Sequence, residues 1–475
     1  MLFPTIDFAI FFAVAFITNW LLNPYPVPWK LAMVALSYFF YSWWDWRFVF
    51  LLAAATIIAH LGALGVSTAS GDRWRKAALV VAVGALLGLL GYFKYYGFFA
   101  VNADNFLRHL GLGDLFPLVQ PTLPVAISFF TFMAISYVVD VYRGRITLAR
   151  PIDLAVYLCF FPHLIAGPIV RGEELLPQIR RRRDPAGIDY ARALWMIMAG
   201  LFKKVVVSSY VSTAIVQPVF TSPLQHSSLE VAFAAWGYAI QIYCDFSGYT
   251  DIAIGLALLL GFRFPMNFDA PYTARNLQDF WRRWHITLSR WLRDYLYIPL
   301  GGNRGTQWIV ARNLMVTMVL GGLWHGANWT FVAWGALHGV GQVTGHLRRN
   351  WRQAHGRPPV ADGPLRIWWQ RFWTFQYVCL GWVFFNASSF SKAANMIERF
   401  FTGWGSASPL VTPLLVLTIF SFVAVQFVPA DVVDRLQSAF SRQRVGVQVS
   451  VLGLTLLAIT TLGPTGVAPF IYYRF

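Results

Sequence analysis

Stretches of about eighteen or more mostly apolar residues recur along this chain, each long enough as a helix to approach a bilayer's thickness. Together with the shorter 30–43, they occupy residues 5–23, 48–66, 77–100, 121–142, 154–170, 190–218, 230–261, 313–346, 368–387, 408–429 and 448–471. Inside lipid a backbone must satisfy its own hydrogen bonds, which leaves only α-helices or a closed barrel. Barrel strands alternate strictly over about ten residues, and the chain shows no such pattern. The fold class is therefore all-α, a polytopic integral membrane protein. Several segments are short for a clean crossing, so about eleven embedded helices are expected. Only 12% of residues are charged, half the roughly 25% of soluble domains. The 21 tryptophans suit membrane interfaces.

The net charge of +17 would suggest nucleic acid in a soluble chain. Here loop arginines on the cytoplasmic side account for it, and no nucleic-acid partner is expected. Arg180-Arg181-Arg182-Arg183 should be cytoplasmic, and the stretch 215–229, free of lysine and arginine, should face outward. Residues 263–312, with eight arginines against three aspartates, return to the cytoplasmic side, as do Arg348 to Arg371. Cys159, Cys244 and Cys379 lie in apolar segments without CxxC spacing, so neither a disulfide framework nor a cysteine metal site is expected. Met1 to Leu22 lacks a basic n-region and reads as a retained first helix. No repeat or long linker divides the chain, and residues 1–475 read as one membrane domain.

Asn313 to Leu347 lies between two basic flanks on the same side. Its 35 residues span about 52 Å as helix, short of two crossings of a roughly 30 Å core plus a turn. The segment either re-enters or crosses a thinned region. His325 falls near its middle, in Gly321-Gly322-Leu323-Trp324-His325-Gly326-Ala327-Asn328-Trp329.

A titratable side chain at membrane depth is costly, and its presence marks a candidate site. Taken alone, His325 fits a packing histidine between close helices as well as a general base. As a base, its imidazole would take a hydroxyl proton during group transfer, with Gly321, Gly322 and Gly326 letting substrate near the backbone. His285 lies in Phe280-Trp281-Arg282-Arg283-Trp284-His285-Ile286-Thr287-Leu288-Ser289. At 100° per residue Trp281, Trp284, His285, Leu288, Trp291, Leu292 and Tyr295 share one face, opposite Arg282, Arg283, Arg290 and Arg293. The spacing predicts one interfacial helix with its arginines in the headgroup region. Spacing alone also allows His285 to be a core or anchoring residue. Asp245 and Asp251 sit in another apolar run, where carboxylates need partners; an arginine pair and a substrate path are both open. Pro162-His163 suggests a re-entrant turn.

Several chemistries have no motif: GxSxG, the P-loop, GxGxxG and HExxH are all missing. No two histidines stand three or four apart, so no metal is expected.

Together the segments resemble the membrane-bound O-acyltransferase (MBOAT) family, in its bacterial branch of alginate O-acetyltransferases and D-alanyl teichoic-acid transfer proteins. The resemblance rests on Leu123–Phe132, Phe161–Pro168, Gln241–Tyr249, Phe280–His285, Trp291–Gly302 and Trp324-His325-Gly326, in order over residues 120 to 345, the expected catalytic core. It implies helices around a thin centre crossed by a tunnel, and a catalytic histidine at His325 with a second essential position at His285. Trp324, Asn328, Arg282, Arg283, Asp245 and Trp281 are the expected substrate-binding residues. It also implies acetyl-CoA as acyl donor, with no tightly bound cofactor, and O-acetylation of an envelope or extracellular polysaccharide. An extracytoplasmic partner of the SGNH-hydrolase type and residence in the bacterial cytoplasmic (inner) membrane, among its lipids, complete the expectation. D-alanyl or peptidoglycan acyl transfer is the alternative within the fold. Outside enzymes, a transporter for lipid-linked sugars or a membrane scaffold would use the same buried polar groups.

Overall fold

Where the apolar windows contain no helix-breaking residue they run on as long helices. The computed structural model describes residues 1–112, 117, 119, 121–165, 167–357 and 363–463, and the regular elements among them are all helical. Arg47–Thr68, Asp72–His109, Tyr190–Thr221, Ser228–Leu259 and Val445–Leu462 are each long and apolar enough to cross a membrane. Pro413–Val425 and Ala430–Ser441 form a sixth if the pair, bent by 96°, is one broken span. The 22 residues of Arg47–Thr68 reach about 33 Å at 1.5 Å per residue, a full hydrocarbon core. The protein is a multi-pass helical membrane protein.

Proline explains most of the places where an expected segment is interrupted. Residues 121–142 become helical only from Ile127, after Pro121 and Pro124, because a residue preceding proline is pushed toward extended backbone. Residues 154–170 are not one helix: Pro151–Cys159 stops, and a single turn, Phe161–Leu164, follows Phe160. Pro162 has no N–H with which to continue the ladder. Ala166 in this stretch, and the end of the last segment beyond residue 463, lie outside the described residues.

The chain divides into two compact units, residues 1–193 with 253–265, and residues 194–252 with 266–475. In the first, the tetra-arginine run is partly structural. Arg183 is buried, its guanidinium stacked 4.0 Å from the Trp29 ring and 4.8 Å from Phe262, a cation–π arrangement. Arg180 and Lys30 both pair with the buried Asp153. Arg181 and Arg182 stay exposed.

In the second unit the segment expected at 313–346 is a helical hairpin, Gln307–His325 and Trp329–Ala354, turned at Gly326-Ala327-Asn328. Both helices extend past the apolar stretch, at 19 and 26 residues, or about 28 and 39 Å. The hairpin is thus longer than the apolar stretch between the arginines, and neither helix is among those long and apolar enough to cross a membrane. Their backbones touch. A Cβ on Gly322 would run into the Phe331 carbonyl, and one on Gly335 into the Met318 carbonyl.

A second polar device holds the Ser228–Leu259 helix. The Tyr190–Thr221 span contains a π-helical segment, Phe202–Ser208, which carries two consecutive lysines. Lys203 pairs with Asp251 and Lys204 with Asp245. Lysines, not the arginines considered from sequence, neutralise these carboxylates. Lys204 and Asp245 are 1% and 3% exposed, so neither charge has water to fall back on. Asp245→Asn is expected to destabilise the protein by about 3–5 kcal/mol, the typical cost of leaving one buried charge unpaired. The double substitution Lys204→Met with Asp245→Leu should recover most of that loss. Thermal unfolding in nanodiscs checks both; an Asp245→Asn protein with unchanged melting would contradict the structural assignment.

Candidate active site

The stretch around His285 is two short helices, Leu277–Arg283 and Ile286–Leu292, in place of the single interfacial helix read from periodicity. His285 stands at the break with left-handed backbone, φ 43° and ψ 55°, a conformation that costs a non-glycine residue of order 1–3 kcal/mol. Asn267 stitches the break together. Its Oδ1 accepts hydrogen bonds from the Thr287 amide at 3.1 Å and the Thr287 hydroxyl at 2.9 Å, and lies 3.2 Å from His285 Nδ1. Its backbone carbonyl accepts the Ile286 amide at 2.9 Å. The facial split survives the break: Trp281, Trp284, Leu288, Trp291 and Leu292 are buried, while Arg282 and Arg293 are exposed. His285 is fully buried, edge-on to Phe246 with ring centroids 4.6 Å apart.

His325 is the last residue of the first hairpin helix. Asn328 caps the second, its Oδ1 accepting the Thr330 amide at 3.0 Å, and its Nδ2 donates to the Ser388 carbonyl at 3.4 Å. An N-cap oxygen satisfies an otherwise orphaned helix donor, so one side of Asn328 is already committed. The His325 imidazole is 3% exposed and packs edge-on to Trp324, Trp334 and Phe385 at centroid distances of 5.0, 5.0 and 5.1 Å. The glycines beside it serve packing: Gly326 makes room for the Phe331 ring and Gly322 for the Phe331 backbone, while Gly321 faces Leu292.

The two histidines meet across Trp324. Its indole centroid is 6.0 Å from that of His285 and 5.0 Å from that of His325. Trp281 joins the same cluster, edge-on to Trp334 at 5.6 Å, and its Nε1 donates to His338 Nδ1 at 3.3 Å. The other expected substrate residues are placed differently. Asp245 is held by Lys204. Arg283 pairs with Asp279 at 2.8 Å and Asp269 at 3.6 Å, whereas Arg282 is exposed on the same short helix.

Four residues of the cluster were not singled out from sequence: Asn267, Trp334, His338 and Phe385. His338 is a third fully buried imidazole, linked to His325 through Trp334, whose ring lies 4.9 Å from it. Asn267 carried no sequence signal, because a lone asparagine in a loop between two helices is ordinary. Among the described residues no group of His, Cys, Asp or Glu could hold a metal ion. What the cluster offers is imidazole acid–base chemistry in an apolar, aromatic-walled setting, suited to taking a proton from a hydroxyl as it attacks an acyl carbon.

Comparison with known proteins converges on the same segment. Residues 124–390 match the model of MBOAT, the membrane-bound O-acyltransferase family. The chain is 39% identical over 410 residues to a probable alginate O-acetylase of Azotobacter vinelandii, covering 85% of this chain and 78% of that protein. It is 36% identical over 427 residues to the peptidoglycan O-acetyltransferase of Helicobacter pylori, covering 83% and 78% respectively. A teichoic acid D-alanyltransferase of Bacillus subtilis matches at 25% over 56% of this chain and 69% of its own length. With more than half its length inside the family match and both histidines within it, the chain belongs to the membrane-bound O-acyltransferase family.

Proposed function

We propose that this acyltransferase moves an acetyl group from cytoplasmic acetyl-CoA across the bacterial inner membrane for O-acetylation of an alginate-like envelope or extracellular polysaccharide. The observation that carries the reading is the pair of buried histidines packed on Trp324. It is supported by a sequence 41% identical over 78% of the chain to a probable alginate O-acetylase of Pseudomonas aeruginosa. The wider proposal includes about eleven embedded helices around a tunnel, and an extracytoplasmic SGNH-hydrolase-type partner that completes transfer to the polymer. Peptidoglycan is the second acceptor to consider, favoured by the Helicobacter pylori relative.

In this reading His325 is the general base. Its imidazole takes the proton of an acceptor hydroxyl as that oxygen bonds to the thioester carbon. The carbon–sulfur bond then breaks, and the proton passes to the departing CoA thiolate. Direct attack fits the chain better than an acyl-enzyme, because no serine or cysteine lies in a recognisable nucleophile motif. His285 holds substrate in the same aromatic pocket. The exposed Arg282 suits the phosphates of the donor.

His325→Ala should lower acetyl transfer by roughly 10²–10⁴-fold, the contribution of a general base, with expression and detergent stability retained. His325→Gln keeps a hydrogen-bonding side chain without a comparable base and should fail similarly. Near-normal turnover of His325→Gln with acetyl-CoA would show that the histidine is structural. A scaffold would be indifferent to either change, and a transporter would lose transport with no acyl turnover to lose. Arg282→Gln, the cleaner variant because Arg283 also braces Asp279, should raise KM for acetyl-CoA several-fold, an effect that salt diminishes. Unchanged donor dependence in a folded Arg282→Gln protein would exclude this entrance.

A further inference from the structure

We infer that Asn267 is a positioning residue that fixes the tautomer of His285, so that His285 meets the substrate as a hydrogen-bond acceptor. The inference rests on the proposed placement of His285 in the acyl-transfer site, but its geometric basis is independent of the reaction.

Asn267 is fully buried. The atom it turns toward Thr287 must be oxygen, because the Thr287 amide at 3.1 Å can only donate. Rotating the side-chain amide by half a turn would set two donors against each other, so the network decides the orientation. The same oxygen lies 3.2 Å from His285 Nδ1, and a nitrogen this close to a carbonyl oxygen binds it only by carrying a hydrogen. A neutral imidazole has one N–H, and the bond made by one ring nitrogen sets the state of the other. Nε2 is therefore left with its lone pair. It is buried and has no hydrogen-bond partner among the described residues.

The backbone supports the same purpose. His285 is one of three non-glycine residues with positive φ among the described residues. The bonds from Thr287, His285 and Ile286 to Asn267 hold it there. Strain kept in place by surrounding bonds is a mark of a positioned side chain. In this conformation the ring packs between Phe246 and Trp324, at centroid distances of 4.6 and 6.0 Å.

A thioester carbonyl carries no hydrogen, so a neutral His285 in this tautomer cannot polarise it. The group that Nε2 receives is an O–H or N–H. That is the acceptor's hydroxyl or an amide of the donor's pantetheine arm. His285 and His325 thus divide the work: His285 orients a donor group on the substrate, and His325 removes the proton that leaves.

The test uses the full-length protein in nanodiscs with ¹⁵N-labelled histidine. Solid-state NMR reads which ring nitrogens carry hydrogen, and the His285→Gln spectrum identifies the His285 signals. Wild-type His285 should be protonated at Nδ1 and bare at Nε2 near neutral pH. Asn267→Leu should shift it toward the Nε2–H form and lower kcat/KM by roughly tenfold to hundredfold, the usual range for a lost orienting partner. The loss should appear against the acceptor if Nε2 receives a hydroxyl, and against acetyl-CoA if it receives an amide. Asn267→Asp retains an accepting oxygen, so His285 should keep its Nδ1–H, while the new carboxylate also favours a proton at Nε2 and should raise the pH at which the imidazolium forms. Should Asn267→Leu not fold, the wild-type and Asn267→Asp spectra still decide the matter. Wild-type His285 protonated at Nε2 would overturn the inference, as would Asn267→Leu with an unchanged tautomer and unchanged kcat/KM. Near-normal turnover of His285→Gln, together with the Nδ1–H tautomer of His285 in the wild-type spectrum, would instead remove His285 from the site and overturn the underlying functional reading.

Discussion

The backbone contact between Gln307–His325 and Trp329–Ala354 governs the arrangement of the site. Gly322 against the Phe331 carbonyl and Gly335 against the Met318 carbonyl leave no room for side chains between the two helices. In a membrane, where lipid is as apolar as the helices, such close packing is a main source of helix association. It also fixes direction. His325 ends one helix beside the turn, and Trp334 and His338 then project from the other into the same cluster. The Pro364–Asn386 helix closes that cluster with Trp382 and Phe385, stacked or edge-on to Trp334 at 6.0 and 5.3 Å.

Polar groups in this core are settled in two different ways. Charges are neutralised locally: Lys203 and Lys204 by Asp251 and Asp245, and Lys30 and Arg180 by Asp153. Buried ion pairs of this kind add little net stability against apolar replacements, but they are costly to break singly. The imidazoles of His285 and His338 are treated otherwise, surrounded by aromatic rings and given the neutral partners Asn267 and Trp281. A neutral partner leaves an imidazole uncharged and able to exchange a proton, whereas a carboxylate beside it would favour the imidazolium. The contrast separates the framework of this protein from its candidate chemistry.

Much of this was legible from sequence where a local rule applied. Tryptophan and leucine at helical spacing predicted the buried face of residues 281–292, and that face persisted although the helix broke. The burial of His325 and His285 followed from the apolar surroundings of each. What was not legible depended on distant partners. The break at His285 depends on Asn267, 18 residues earlier, and the fate of Asp245 on Lys204, 41 residues earlier. His338 escaped notice because the turn at Gly326–Asn328 resets the helical phase, so its distance from His325 along the chain says nothing about facing. The structural partners of Arg180 and Arg183 were not legible for a related reason. A solvated loop and an arginine stacked on Trp29 look alike until Trp29 is placed.

The central claim is that His325 and His285 form one substrate site around Trp324. A cryo-electron microscopy structure of the full chain in nanodiscs with a non-reactive thioether analogue of acetyl-CoA tests it most directly. The account predicts ligand density passing the exposed Arg282 and ending with the acyl carbon beside Trp324, within one hydrogen-bonded group of His325. Density that ends elsewhere, with the His325, Trp334 and Phe385 rings still in contact, would contradict it.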